Sequence, residues 1–323
     1  MSHECHNTFQ KIEILKKRAL MLSKVRSFFY TNNVLEIDPP HLTKSPSIDL
    51  HIDLFETALD ENCKKTGYFH SSPEYCMKRY LSVGIGNIYF LGHVFRKGET
   101  GKNHNVEFTM IEWYRCASSF DNFIEENVLL LEQFFGPIKT EVVTYKELFL
   151  KHSGLNYIDT TLEELKLYIE DKKELSVMAF FSWDKDDFFN YIFSEIIEPK
   201  LDKNKLIIVK DFPKSQAALA KTSLNTSGDL IAERFEFFYK GHEIANGYHE
   251  LQNTNEQRKR FHQANIRRAE LNKTTYLIDE KFLQSLDKLP NCYGIALGFD
   301  RLLMLMENID NIADVMPFSF DQT

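Results

Sequence analysis

The sequence predicts an α+β protein, and three segments predict it. FRKGETGKNHNVEFTMIEWYR, residues 95 to 115, reads as a strand ending near Arg96, a polar loop over 97–105 and a second strand rich in aromatic and β-branched residues. GIALGFDRLLML, residues 294 to 305, reads as a glycine-punctuated strand running into an apolar helix, with Gly294 and Gly298 allowing close backbone approach by a ligand and Leu302, Leu303, Leu305 and Met306 on the buried helical face. ERFEFFYKGHEIANGYHELQN, residues 233 to 253, is strand-like and aromatic. Helical periodicity appears elsewhere, so both element types belong to one chain.

In chain order, Leu15, Leu22, Val25 and Phe29 fall at i, i+7, i+10 and i+14, predicting a helix that begins within the first dozen residues and breaks at Asn32-Asn33 before the strand VLEI. Helical stretches recur in FIEENVLLLEQFF and TTLEELKLYIE, so about 118–225 is expected to be a helical insertion. EQRKRFHQANIRR, residues 256 to 268, reads as a basic helix. It is either a patch for an acidic partner or an ordinary solvated face.

With 323 residues and 43% hydrophobic content the chain can bury a large core, and one domain over 1–323 is expected. A net charge of −8 argues against a stable nucleic-acid coat, which needs cationic surface. Cys5, Cys63, Cys76, Cys116 and Cys292 are scattered without a C-x-x-C pair, pointing to a reducing, cytoplasmic setting and not to a disulfide framework. No membrane-spanning run or signal-peptide core is expected. The cluster His3, Cys5, His6 reads as a frayed terminus or a metal site.

Acids in apolar company demand partners. Glu236, Glu243 and Glu250 recur in the aromatic 233–253 segment, where an unpaired carboxylate is costly, so each should meet a metal, an ammonium group or an arginine. The alternative is a hairpin with a charged outer face. Residues 95–115 alone would likewise suit a polar hairpin.

Taken together and in order, these segments resemble the motifs of class II aminoacyl-tRNA synthetases. FRKGETGKNHNVEFTMIEWYR is similar to motif 2, GIALGFDRLLML to motif 3 and VLEIDPPHL, residues 34 to 42, to motif 1. HSSPEYCMKR at 70–79 resembles the amino-acid-binding segment and FPKSQAALAK at 212–221 a further block of the lysyl-tRNA synthetase group. ERFEFFYKGHEIANGYHEL and NVEFTMIEWYR are most like the short paralogues of that group that aminoacylate a protein, elongation factor P. The resemblance implies a class II catalytic core, a mostly antiparallel sheet flanked by helices. It implies no N-terminal anticodon-binding domain, and a homodimer built on the motif 1 helix and the Pro40 region.

It also implies roles. Arg96 would hold the α-phosphate and the substrate carboxylate, Arg301 the γ-phosphate, and Glu236 and Glu243 would place Mg²⁺, making Arg96, Arg301 and Glu243 the catalytic set. Lys97, Gly98, Glu99, His104, Asn105, Phe108, Ile244 and Gly298 would complete an ATP site, with Phe108 stacked on adenine. Ser72, Pro73, Glu74, Tyr114, Asn246, Glu250 and Ala296 would form the amino-acid pocket. There Glu74 takes the near amino group, while Glu250 and Tyr114 take the distant ammonium. Alternatively, Glu74 caps a helix near Tyr75 and Glu250 pairs with Arg258.

The implied reaction is activation of lysine or (R)-β-lysine as an adenylate, then transfer to a lysine ε-amine of elongation factor P, using ATP and Mg²⁺. tRNA charging and a non-catalytic lysine sensor are the alternatives. Two departures bear on this. Ala296 stands where the synthetases usually have glycine, and its methyl would favour an isomer with a displaced amine. Gly98 stands where motif 2 has an acid, with Glu99 next, so Glu99 is the candidate replacement.

Overall fold

The computed structural model describes residues 2–62, 65–172, 180 and 183–323, with side chains from residue 10 onward. Chain contacts divide it into two compact units, Met1–Ile138 with His249–Thr323, and Lys139–Tyr248. The expected insertion at 118–225 straddles that division, since the helix over 120–135 lies in the first unit and the helices between 145 and 191 in the second.

The first unit opens with α1 (Ser2–Thr31), β1 (Leu35–Glu36), β2 (Leu42–Thr43), β3 (Glu56–Ala58), β4 (Thr66–Phe69), α2 (Glu74–Leu81), β5 (Ile88–Phe95), β6 (Glu107–Cys116) and α3 (Phe120–Phe135). In α1 the buried line is Ile14, Arg18, Met21, Val25 and Phe29. Val25 and Phe29 lie where the spacing puts them, but Leu15 and Leu22 are half-buried flanks. The stripe is centred one position earlier because the buried Arg18 belongs to it, and polar residues do not register in an apolar count. Asn33, in the left-handed region, ends the helix. Phe29 then stacks on Tyr89 at 4.2 Å and meets Trp113 edge-on at 5.2 Å.

The second unit contains β7 (Thr140–Thr144), α4 (Tyr145–Ser153), α5 (Leu162–Lys172), α6 (Lys185–Tyr191), β8 (Leu206–Pro213), β9 (Thr222–Leu224), β10 (Leu230–Tyr239) and β11 (His242–His249). Capping boxes at Thr144 and Asp184 start α4 and α6. Their apolar faces pack Tyr145, Phe149, Phe188 and Phe189 onto Val209, Phe212 and Phe238 of the strands. The strand order is β11-β10-β8-β7, antiparallel except for the edge strand β7, with β9 on β10.

The chain returns to the first unit as α7 (Thr254–Glu270), α8 (Glu280–Leu286), β12 (Cys292–Gly298) and α9 (Phe299–Glu307). There the order is β1-β5-β6-β12, antiparallel apart from the edge strand β1. The expected α+β, mostly antiparallel architecture is therefore present. Register sets the site: Ile88, Tyr114 and Gly294 stand opposite one another, as do Phe90, Glu112 and Ala296, and Gly92, Met110 and Gly298. Because side chains alternate along a strand, Phe108, Met110, Glu112 and Tyr114 of β6 share that face with Ala296. Trp113 and Ile111 occupy the other face, toward α1.

Candidate active site

Two ends of this shared face carry different chemistry. At one end the 96–108 hairpin joins β5 to β6, with Gly98 and Gly101 at positive φ in its tip. Arg96 lies over the Phe108 ring at 5.2 Å and 3.7 Å from Glu99, and its Nε is buried without a hydrogen-bond partner among the described residues. A buried guanidinium donor left open in this way suits an oxyanion. Arg301, in the first turn of α9, reaches the same hairpin, with a terminal guanidinium nitrogen 3.0 Å from His104 Nε2 and 3.4 Å from the Asn103 carbonyl. Lys97 donates its backbone N–H to the Asp53 carbonyl at 2.8 Å. Asn105 is buried and fully engaged, donating to the Glu107 carbonyl and accepting from the Phe320 N–H. It shapes the hairpin root.

One buried pair fixes this end. Asp300 accepts from the Arg18 guanidinium and, at 2.6 Å, from the Thr109 N–H, while Arg18 also donates to Thr109 Oγ1 at 2.7 Å. α1, β6 and α9 are thereby tied beside Phe108 and Arg301.

At the other end lies a buried cluster of acids. Ser72 Oγ donates to Glu112 Oε2 at 2.7 Å and Tyr114 Oη to Glu112 Oε1 at 2.8 Å. Lys78 Nζ stands 2.5 Å from Glu74 Oε1 and 2.5 Å from Glu250 Oε2. Lys78, Glu112, Tyr114 and Glu250 are all nearly inaccessible to solvent. Burial, reinforced by Glu74, pushes the Glu112 carboxyl up to about 7. Burial also pushes Glu250 up to about 8, against the pull of Lys78 and with repulsion from Glu74 and Glu112. Burial opposes the Lys78 charge, but Glu250 and Glu74 outweigh it and hold the ammonium above its ordinary range. Pro73 occupies the N-cap position of α2, and the Glu74 N–H donates to Ser72 Oγ at 3.0 Å.

Several expectations are corrected here. Glu74 is not the helix cap, since its carboxylate faces Lys78 one turn on. Glu250 does not pair with Arg258, whose guanidinium makes a fork to Glu280 at 2.5 and 2.7 Å. Close approach at Gly294 serves the protein itself, because a methyl there would strike Glu250 and Tyr114. Around Gly298 a methyl would meet only Arg301 Cβ, at 3.7 Å. The basic segment is largely neutralised internally: Arg260 faces Glu256, Arg267 faces Glu270, and the buried Arg268 holds Asp53. The His3, Cys5, His6 side chains lie outside the described residues.

Glu236, Glu243, Ile244 and Asn246 belong to the second unit. Glu236 is buried against Arg234, and burial together with the neighbouring Glu243 lifts its carboxyl to about 7 despite that arginine. Arg234 Nε donates to Asn246 Oδ1 at 3.2 Å and lies over Phe212 at 4.8 Å, and Asn246 donates to Tyr248 Oη at 3.0 Å. Ile244 is buried. Among the described residues no group of three or more His, Cys, Asp or Glu is arranged around a common metal position.

Sequence reasoning missed Lys78, Glu112, Arg234 and Arg18. Two were detectable, since Lys78 follows Glu74 by one helical turn and Glu112 alternates with Tyr114 on a strand.

The family described as tRNA synthetases class II (D, K and N) matches residues 6–322. A Histophilus somni (strain 2336) protein named Elongation factor P--(R)-beta-lysine ligase is 40% identical over 314 residues, 96% of each chain. Proteins of the same name from Haemophilus influenzae (strain PittGG) and Vibrio atlanticus (strain LGP32) are 40% and 38% identical, the latter over 98% of this chain and 100% of its own. With its hairpin arginine, its α9 arginine and its buried acid cluster, and matched by the family over residues 6–322, this chain belongs to the class II tRNA synthetase family of the D, K and N type.

Proposed function

We propose that this protein is an ATP-dependent ligase that activates (R)-β-lysine as an aminoacyl adenylate and transfers it to the ε-amine of a lysine on elongation factor P. The observation that carries the reading is the buried Glu74, Glu112, Glu250 pocket on the sheet face that bears Arg96 and Phe108 at its other end. Phe108 and Glu112 are four residues apart on β6, roughly 13 Å of strand, which leaves room for a phosphate and a short carbon chain between a purine and an ammonium. Relatives of nearly equal length carry the ligase name, which supports elongation factor P over tRNA as the recipient.

In this reading the substrate carboxylate attacks the α-phosphorus and pyrophosphate leaves. Arg96 is placed to neutralise charge accumulating at that phosphate through its open Nε, and Arg301 to hold the terminal phosphate beside His104. Phe108 offers adenine a ring face, and Lys97, Gly98 and Glu99 shape the loop over it. Gly298 leaves space beside Arg301. Within the second unit, Glu236 and Glu243 would hold Mg²⁺, whose chemistry when bound is charge neutralisation. Ile244 supports that strand, and Asn246 orients Arg234 beside Glu236. Glu74 takes the near ammonium, Glu250 and the free lone pair of Tyr114 the distant one, with Ser72 and Pro73 setting the start of α2. Ala296 stands directly across from Glu112, so its methyl narrows the pocket where the amine is placed. This favours the β-isomer.

The protein is expected in the cytoplasm; no described helix is long and apolar enough to cross a membrane. A homodimer through α1 and the Pro40 region is supported by Tyr30 and Val83, 83% and 77% exposed. The deciding experiment incubates the protein with ATP, Mg²⁺ and each lysine isomer, with elongation factor P or tRNA, and weighs the products. Elongation factor P heavier by one lysine unit, most with (R)-β-lysine, is expected. Labelled tRNA, or no adenylate at all, would replace this reading with tRNA charging or with a sensor.

A further inference from the structure

Lys78 has no part in the roles given so far, yet it is the most deeply buried cation of the pocket. It contacts two of the three acids, at 2.5 Å each. The charged and titratable groups facing it are Glu74 from its own helix, Glu112 and Tyr114 from β6, and Glu250 from the segment after β11. Glu250 Oε2 meets the Lys78 ammonium at 2.5 Å and has a second lone pair. A buried carboxylate oxygen of this kind has room for another N–H donor.

Resting on the lysine-type substrate proposed above, we infer that Lys78 is a resident counter-ion that fixes the charge deficit of the pocket at two. The ligand that neutralises it is then a diamino acid with both ammonium groups, its own carboxylate being matched by Arg96. Three ionised glutamates and one ammonium leave two negative charges uncompensated. Such a deficit cannot persist in a buried site, so the empty pocket takes protons instead. The elevated Glu112 and Glu250 carboxyls, at about 7 and about 8, are the groups that take them, while Lys78 keeps its charge. Entry of two ammonium groups ionises both carboxyls, and their protons leave to the buffer. A ligand with a single ammonium discharges only one of them, and leaves Glu250 protonated or unpaired.

The test is calorimetric titration of the full chain with (R)-β-lysine in two buffers of different ionisation heat, which counts protons released on binding. Release of about one to two protons near neutral pH, diminishing above about pH 8, is expected. Lys78→Gln should release protons up to a higher pH than the wild type, whose release diminishes above about pH 8, since losing the ammonium that holds Glu250 down raises that carboxyl further. A merely structural lysine would weaken binding and leave the pH range of release unchanged, and that result overturns the inference. Should Lys78→Gln fail to fold, the wild-type protein decides with a ligand lacking the terminal amine. Release of about one proton fewer and binding at least about 10²-fold weaker support the counter-ion role, whereas equal release overturns it. If neither lysine isomer gives binding heat, the substrate reading itself fails and the charge count falls with it, an outcome distinct from binding with an unchanged pH range of release.

Discussion

Gly294 shows how a single side-chain position can govern the pocket. Its missing Cβ is the space into which Glu250 and Tyr114 pack, so Gly294→Ala should displace both. The expected result is a rise of about 10- to 100-fold in the amino-acid KM with the ATP KM nearly unchanged, read by pyrophosphate exchange; equal effects on both would contradict the assignment. Glu250→Gln tests the neighbouring acid. It leaves Lys78 half-paired and offers the distant ammonium no anion, so amino-acid activation should fall about 10²-fold or more while nucleotide affinity persists. Single-turnover adenylate formation would check this. Sequence reading found Glu250 from its anomalous apolar company, but not its partner. Lys78 looks like any lysine on a short helix until tertiary contacts bury it between two acids.

Among elements, the joint between α1, β6 and α9 matters most for the nucleotide end. Arg18 and Asp300 are both nearly fully buried, and Asp300 also holds the Thr109 backbone. Removing one member of a buried pair leaves the other uncompensated, so Asp300→Asn should cost about 3 to 5 kcal/mol in denaturant unfolding. Replacing both by apolar residues should recover much of that loss. A drop below about 1 kcal/mol for the single variant would mean the pair is not a joint. The stretches that became β5, β6, β12 and α9 were legible from alternation and glycine punctuation. The α1 face was misplaced by one residue because its stripe includes a charged side chain. β1 was legible as a strand, but its parallel pairing with β5 was not, since two residues carry no directional pattern.

For the whole molecule, the acid pocket links stability to pH. Glutamate begins from an ordinary value of 4.5, and Glu112 and Glu250 rise to about 7 and about 8 in the folded protein. Between those limits the folded state binds more protons than the unfolded one, so unliganded stability should fall as pH rises from about 5 to 8. Saturating diamino acid should flatten that slope in thermal unfolding; a slope of opposite sign would refute the elevated carboxyls. Tyr30→Asp should shift the protein from dimer to monomer by light scattering if α1 forms the contact between copies. What the sequence by itself determined is the set of chemical groups: ordered arginines, acids and glycines whose spacing is local and therefore readable along the chain. Tertiary structure alone decided which acids share a dielectric environment, because ion pairing between Lys78 and Glu250, or Arg18 and Asp300, joins residues separated by well over a hundred positions. Burial then determines whether such a group is a solvated ornament or a charge that another must answer.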